Sequence, residues 1–322
     1  MKNIHWLVPF KINHNHEILN TNIASIRLRS GLFTLPYFKY FKVTFNEDIS
    51  NVNDIDYLFI NKPREDLINK WLEIIINHRK NNKKLFFDYT DHHLIRQNFL
   101  SDFYRKTIKE NDHIITSSNK LKKNIKNFKN FKNITVIEDI LEIDLQKIKK
   151  NNQNSTFLFF GQPSNLQYLF NLIPTWDNSK EYSLIIQTSL EGLKIIQEKS
   201  RFIQKPNNLN INLQLWSIEN MLKASEIVSG VIIPGDINDE RKNGVSHNRL
   251  ITAFALGLPV AASRYESYLE FDNQFVDIDN KSEFENFLKN PSLYSNGVEI
   301  SQKKVKNYTQ DNIAKKWLNL TK

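Results

Sequence analysis

The segment Glu240 to Phe271, ERKNGVSHNRLITAFALGLPVAASRYESYLEF, constrains the fold of this chain more than any other stretch. Leu250, Ile251, Phe254 and Ala255 recur at helical spacing, and Ser246 or His247 can open that helix. Gly257 stands where a helix C′ residue takes a left-handed conformation, and Pro259 keeps the helix from resuming. Leu258 to Ala262 is then a short apolar run of the kind a strand shows when both its faces are covered. Cations and amide donors therefore fall at a helix N-terminus beside a parallel sheet. There, backbone N–H groups and the helix dipole favour an anion, and a diphosphate fits.

The rest of the chain runs through the same strand-and-helix grammar twice. Ile4–Phe10, Val43–Phe45, Asp56–Asn61, Leu85–Phe87, Asp112–Ser117 and Ile134–Ile137 read as strands of a first α/β domain. Helices are expected over 67–78 and from Lys120, and Ile23 to Leu32 places Arg27 and Arg29 near the start of another. Those two arginines either meet phosphates or lie on a solvated helix face. Leu85–Phe87 ends directly in Asp88, Tyr89, Thr90, Asp91, His92 and His93. Ligands of parallel α/β sheets bind outside the carboxyl ends of strands, so this cluster is well placed for chemistry. A metal set of Asp88, Asp91, His92 and His93 is a weaker reading, because neighbouring histidines point apart. Asp88 as a turn former is another.

Lys147 to Asn154 is polar and lacks an apolar period, which sets the domain boundary: 1–148 and then 149–302. In the second domain Thr156–Phe160, Tyr182–Gln187, Ile211–Leu215 and Ile227–Pro234 read as strands, with Gln274–Ile278 as an edge strand. The first of these ends in Gly161, and the third leads into Trp216 and Glu219. A final helix is expected from about Lys303 to Leu320.

With 322 residues the length also suggests two domains, and 40% hydrophobic residues suffice for ordinary cores. A net charge of +9 admits nucleic acid, anionic lipid or phosphorylated substrates, although an overall abundance of Asn, Lys and Ile explains it as well. Lys120, Lys122, Lys123, Lys126 and Lys129 surround an apolar stripe of Leu121, Ile125 and Phe128. Such a helix lies on an anionic membrane or packs its stripe on the sheet. The interleaved aromatic and basic motifs of standard RNA modules are missing, so no nucleic-acid partner is expected. No cysteine occurs, no signal peptide is recognisable and no apolar run reaches the length of a membrane span, so a soluble cytoplasmic protein is expected.

Lys242, Asn248, Arg249, Ala253, Ala255, Gly257, Pro259, Val260, Ala262 and Ser263 together resemble the donor-sugar motif of GT-B glycosyltransferases of the group 1, family 4-like type. Gly244 and Thr252 stand where retaining members often carry two glutamates. The resemblance implies two Rossmann-like domains facing a cleft, with the C-terminal helix crossing back to the first. It implies a nucleotide-sugar as co-substrate, with no other cofactor and no metal. Gly161, Lys242, Ser246, Asn248 and Arg249 would hold the donor diphosphate. Trp216, Glu219 and Thr252 would meet the nucleobase and ribose, and Arg27 and Arg29 the acceptor or a phosphate. If configuration inverts, Asp91 or His92 is the candidate general base. The implied acceptor is a glycan or lipid-linked hydroxyl in cell-surface glycoconjugate synthesis, with peripheral contact at the inner face of an anionic membrane. A nucleotide-sugar epimerase or hydrolase, and a silent binding module, are the alternatives.

Overall fold

Apolar runs bounded by turns become parallel strands in both halves of the chain, as a computed structural model covering residues 1–149, 155–176, 180–199 and 205–321 shows. Two units divide the chain: the first comprises Met1–Ile140, Glu240–Ser246 and Tyr308–Lys322, the second Leu141–Asp239 and His247–Asn307. The first unit carries β1 (Lys2–Leu7), β2 (Phe41–Asn46), β3 (Tyr57–Ile60), β4 (Lys84–Tyr89), β5 (His113–Thr116) and β6 (Asn133–Val136). These form one sheet in the order β2-β1-β3-β4-β5-β6, every pairing parallel. Its helices are α1 (Ile68–Lys80), α2 (Phe99–Thr107) and α3 (Asn119–Phe128). Ser118 caps α3 by accepting a hydrogen bond from Leu121 N, as a serine before an apolar-periodic run should.

The second unit carries β7 (Thr156–Phe160), β8 (Tyr182–Thr188), β9 (Leu209–Leu215), β10 (Gly230–Ile233), β11 (Val260–Ala262) and β12 (Val276–Asp277). Its order, β12-β11-β10-β7-β8-β9, is again all parallel and is the doubly wound Rossmann order. The helices that follow in sequence are α4 (Leu166–Leu172), α5 (Leu190–Lys199) and α6 (Ile218–Ile227). After them come α7 (Glu240–Asn243, a single turn counted with the first unit), α8 (Asn248–Ala255), α9 (Lys281–Lys289), α10 (Ser295–Val305) and α11 (Gln310–Thr321). Gly257 has φ +74° and ends α8, as expected. A Cβ there would stand 2.2 Å from Lys147 O, so both the backbone sign and the close approach require glycine. Lys149 N donates to Gly257 O at 3.0 Å, which ties the start of the expected linker to the second unit; 150–154 lie outside the described residues.

Two elements differ from expectation. Residues 23–32 do not form an amphipathic helix; a π-helical turn at Ile26–Ser30 runs into a 3-10 turn at Gly31–Thr34. Every residue from Ile26 to Phe33 is buried, so the segment has no solvent side and the solvated-face reading of Arg27 and Arg29 falls. The final helix is two helices, α10 and α11, broken by the turn Lys306–Tyr308. α11 belongs to the first unit and α10 to the second. Trp317 of α11 enters an aromatic core: its ring lies 5.6 Å from Trp6, 5.4 Å from Phe33 and 5.9 Å from Phe59. Trp6, Phe59 and Phe86 stack in turn across β1, β3 and β4.

Candidate functional site

In the second unit the sheet changes winding direction between β7 and β10, and such a switch point leaves a crevice at the strand ends. Gly161 leaves β7 there, and Pro234 and Gly235 leave β10. Arg249, the second residue of α8, reaches the same place. A Cβ on Gly161 would stand 3.4 Å from Arg249 Nη1 and 3.3 Å from Asn165 Nδ2, so a larger side chain at the β7 turn would crowd the guanidinium. Arg249 Nη1 is shut off from solvent and has no hydrogen-bond partner among the described residues. Among the described residues no carboxylate pairs with Arg249; it donates instead to the hydroxyl of buried Tyr268. Burial raises the Tyr268 hydroxyl pKa, and the Arg249 charge partly offsets that.

Sequence reasoning missed Tyr268 and its neighbour Tyr265. The Tyr265 hydroxyl accepts from Asp236 N at 3.0 Å, and Gly235 N donates to Ser263 Oγ at 3.0 Å. A Cβ on Gly235 would lie 2.0 Å from the Tyr265 hydroxyl, so the glycine is what lets this ring brace the β10 exit loop. The signal available was the spacing Tyr265-x-x-Tyr268 just after the β11 motif, which periodicity alone does not distinguish from core.

Of the other expected donor residues, Asn248, Thr252, Trp216 and Glu219 also fall in the second unit. Thr252 is buried in α8, and Trp216 is half-buried, its backbone N–H donating to Thr188 O at 2.8 Å. Glu219 is exposed and pairs with Lys223 at 2.6 Å on the surface of α6. His247, not Ser246, holds the N-cap position of α8, without a side-chain cap bond. Lys242 and Ser246 belong to the first unit, so the expected diphosphate set is divided between the two units.

In the first unit β4 extends through Asp88 and Tyr89, and the loop after it holds Asp91, His92 and His93. Asp88 is fully buried and accepts from Arg29 Nε at 2.7 Å. Arg29 Nη1 also meets Asp139 Oδ1 at 3.1 Å and Ile137 O at 2.6 Å, while its guanidinium lies 5.2 Å from the Trp317 ring. Burial pushes Asp88 up to about 6 against the pull of Arg29. Arg29 is thus fully buried and held by two carboxylates and a carbonyl, which corrects its expected role as a contact for acceptor or phosphate. Arg27 is buried too, and its Nη1 donates to Thr21 O at 2.7 Å.

Asp91 forms an ion pair with Lys62 and lies in the field of Lys242. Burial alone would raise its pKa, but these cations and His93 hold it well below the usual carboxylate range. His93 is buried and pushed down to about 3, mostly by desolvation, with Lys62, Arg241 and Arg96 opposing its protonation. Burial likewise lowers His92, whose Nδ1 lies 3.3 Å from the Tyr89 hydroxyl. The loop therefore presents an ionised carboxylate and neutral imidazoles surrounded by cations. The four residues considered as a metal set do not converge: among the described residues no three acidic or histidine side chains come together as ligands.

No family model matches this sequence, and no curated protein matches it. Solved structures do. An α-glucosyltransferase in complex with UDP-glucose and DNA containing an abasic site aligns with a TM-score of 0.62 at 14% identity, covering 99% of this chain and 98% of that one. A β-glucosyltransferase described as a DNA-modifying enzyme, with and without uridine diphosphoglucose, aligns at 0.61 and 14% identity, covering 98% and 97%. TarM aligns at 0.58 and 15% identity over 83% of this chain, which spans 55% of the TarM chain. Identities this low carry the architecture and nothing finer. The chain has the GT-B fold, with two Rossmann-like units each built on a six-stranded parallel sheet.

Proposed function

We propose that this chain is a glycosyltransferase that moves a sugar from a nucleotide-sugar, with the donor diphosphate held in the second unit. The observation that carries the reading is Arg249 Nη1, desolvated and unpartnered beside Gly161 at the switch point. Leaving a buried donor unsatisfied costs about 1–3 kcal/mol, and a phosphate oxygen would remove that penalty. The amides at the start of α8 add their partial positive charge on the same side. Lys242 and Ser246 remain proposed contacts to the diphosphate. Trp216 and Thr252 are proposed for base and ribose, and Glu219 can join them only by leaving Lys223.

Catalysis then rests on stabilising the departing diphosphate by Arg249, helix amides and Lys242. Those cations do the work a divalent ion does elsewhere, so activity should persist in excess chelator. For an inverting reaction, Asp91 or His92 accepts the acceptor hydroxyl proton, since both are unprotonated at neutral pH. Asp91, paired with Lys62, is the weaker base of the two. The acceptor is a hydroxyl of a glycan, a lipid-linked sugar or, because two of the structural neighbours are described with DNA or as DNA-modifying, a nucleic acid. No helix among the described residues is long and apolar enough to cross a membrane. Leu121 and Ile125 of α3 are buried in the first unit, which leaves that helix without its main apolar face for a membrane surface.

Nucleotide release from UDP-glucose, measured with and without acceptors, tests the reading. Release that depends on an acceptor is expected. Release into water alone would indicate a hydrolase, an altered sugar without release an epimerase, and binding without turnover a silent module.

A further inference from the structure

The chain's positive charge is unevenly placed. Between His113 and Ile137 there are six lysines and no acidic residue, against 44 basic and 35 acidic residues in the whole chain. Most of these lysines belong to α3 and the residues just beyond it, and their setting decides what they can meet. Leu121 and Ile125 pack in the core, so Lys122, Lys123 and Lys126 point away from it at the helix's remaining positions. Among the described residues, none of Lys122, Lys123, Lys126 and Lys129 has an ion-pair partner. At the end of the helix Phe128 is 42% exposed, although it is aromatic. The Arg105 guanidinium lies 5.8 Å from its ring centre, and the His92 ring meets it edge-on at 6.4 Å. Arg105 is itself anchored by a 2.7 Å bond from Nη2 to Leu94 O. The lysine face therefore leads, through an exposed aromatic ring, to the loop that carries Asp91 and His92.

We infer that this face of α3 binds a nucleic-acid strand, and that the strand is the acceptor of the transferase proposed above, on which reading this inference rests. Three observations favour it over other polyanions. A membrane surface would need the apolar stripe that α3 has already buried. An anionic polymer without bases would use the lysines and leave Phe128 idle. A nucleic acid uses both, because phosphates release counterions to lysines while a base stacks on an exposed ring braced by arginine. The dimensions agree. Ten helical residues span about 15 Å, the length of about four nucleotides of one stacked strand.

The test is fluorescence-anisotropy titration of a 12-nucleotide mixed-sequence single-stranded DNA, at several salt concentrations and without donor. Three proteins are compared: the wild type, a Lys122→Gln, Lys123→Gln, Lys126→Gln triple variant, and Phe128→Leu, which keeps an apolar contact to His92 but removes the ring. The triple variant should flatten the log–log salt slope by about 2, and Phe128→Leu should weaken binding by roughly 5-fold or more. Inorganic polyphosphate of matched charge should compete less well than DNA. An unchanged slope in the triple variant would place binding elsewhere and overturn the inference. Equal competition by polyphosphate together with unaltered affinity in Phe128→Leu would reduce it to general charge attraction. Binding to phosphatidylglycerol vesicles but not to DNA would assign the surface to a membrane instead. UDP-glucose binding is measured in parallel. Oligonucleotide binding without it counts against the transferase reading, and UDP-glucose binding without oligonucleotide binding counts against this one.

Discussion

Arg29 and Arg249 are the same side chain in opposite circumstances. Arg29 is fully buried and its charge is matched by Asp88 and Asp139, although its Nη2, like Arg249 Nη1, finds no hydrogen-bond partner among the described residues. Removing one member of such a buried set strands the others, and Arg29→Ala should lower stability by about 3–5 kcal/mol in urea unfolding. A loss below about 1 kcal/mol would mean that the network contributes little. Arg249 has a tyrosine hydroxyl and no carboxylate among the described residues, which is the arrangement of a cation kept for a ligand. Tyr268→Phe removes the bond that holds it. Titration should show UDP affinity lower by roughly 5-fold, about 1 kcal/mol, with the melting temperature little changed. Unaltered affinity would show that Arg249 is positioned by other contacts. Arg249 was legible in the sequence because a motif surrounds it. Tyr268, Asp139 and Lys62 were not, because each acts through a partner at least 19 residues away that only the folded sheet brings near.

Among the elements, α8 and its stop were the most legible, since Gly257 and Pro259 act locally on the backbone. The strands were legible within a few residues for the same reason: apolar runs bounded by turn formers. Helix α2 escaped notice because it is only nine residues long, and its apolar pairs Phe99-Leu100 and Phe103-Tyr104 give little more than one helical repeat. The break between α10 and α11 escaped because apolar spacing continues across it, and nothing in Lys306, Asn307 and Tyr308 forbids a helix. The break exists because the two helices serve different cores. Trp317 of α11 is completely buried against Trp6, Phe33 and Phe59 of the first unit. Trp317→Ala should therefore cost about 3–5 kcal/mol, read as a fall in the denaturation midpoint. A midpoint within error of the wild type would show that α11 is a dispensable tail.

For the whole molecule, acid should be destabilising in a definite window. His5 and His93 are buried and neutral, lowered to about 4 and about 3 from an ordinary 6.5. Unfolding frees them to take protons near 6.5, so their contribution is complete above that pH and is lost as pH falls towards 4. Asp88, raised to about 6, works with the opposite sign, because the folded state takes its proton first. Two imidazoles against one carboxyl leave a net loss of roughly 2–3 kcal/mol between pH 7 and pH 5, and His78, His92 and His113, also lowered by burial, add to it in the same direction. Equal urea midpoints at the two pH values would show that these groups are better solvated than their burial indicates. The central claim, however, is that the switch point of the second sheet holds a nucleoside diphosphate through Arg249. Calorimetric titration of UDP and of uridine into the wild type and Arg249→Ala tests it directly. A charge-assisted phosphate contact is worth about 1.5–3 kcal/mol, so UDP affinity should fall by roughly 10- to 150-fold while uridine affinity barely moves. Equal UDP affinity in the two proteins would contradict the account.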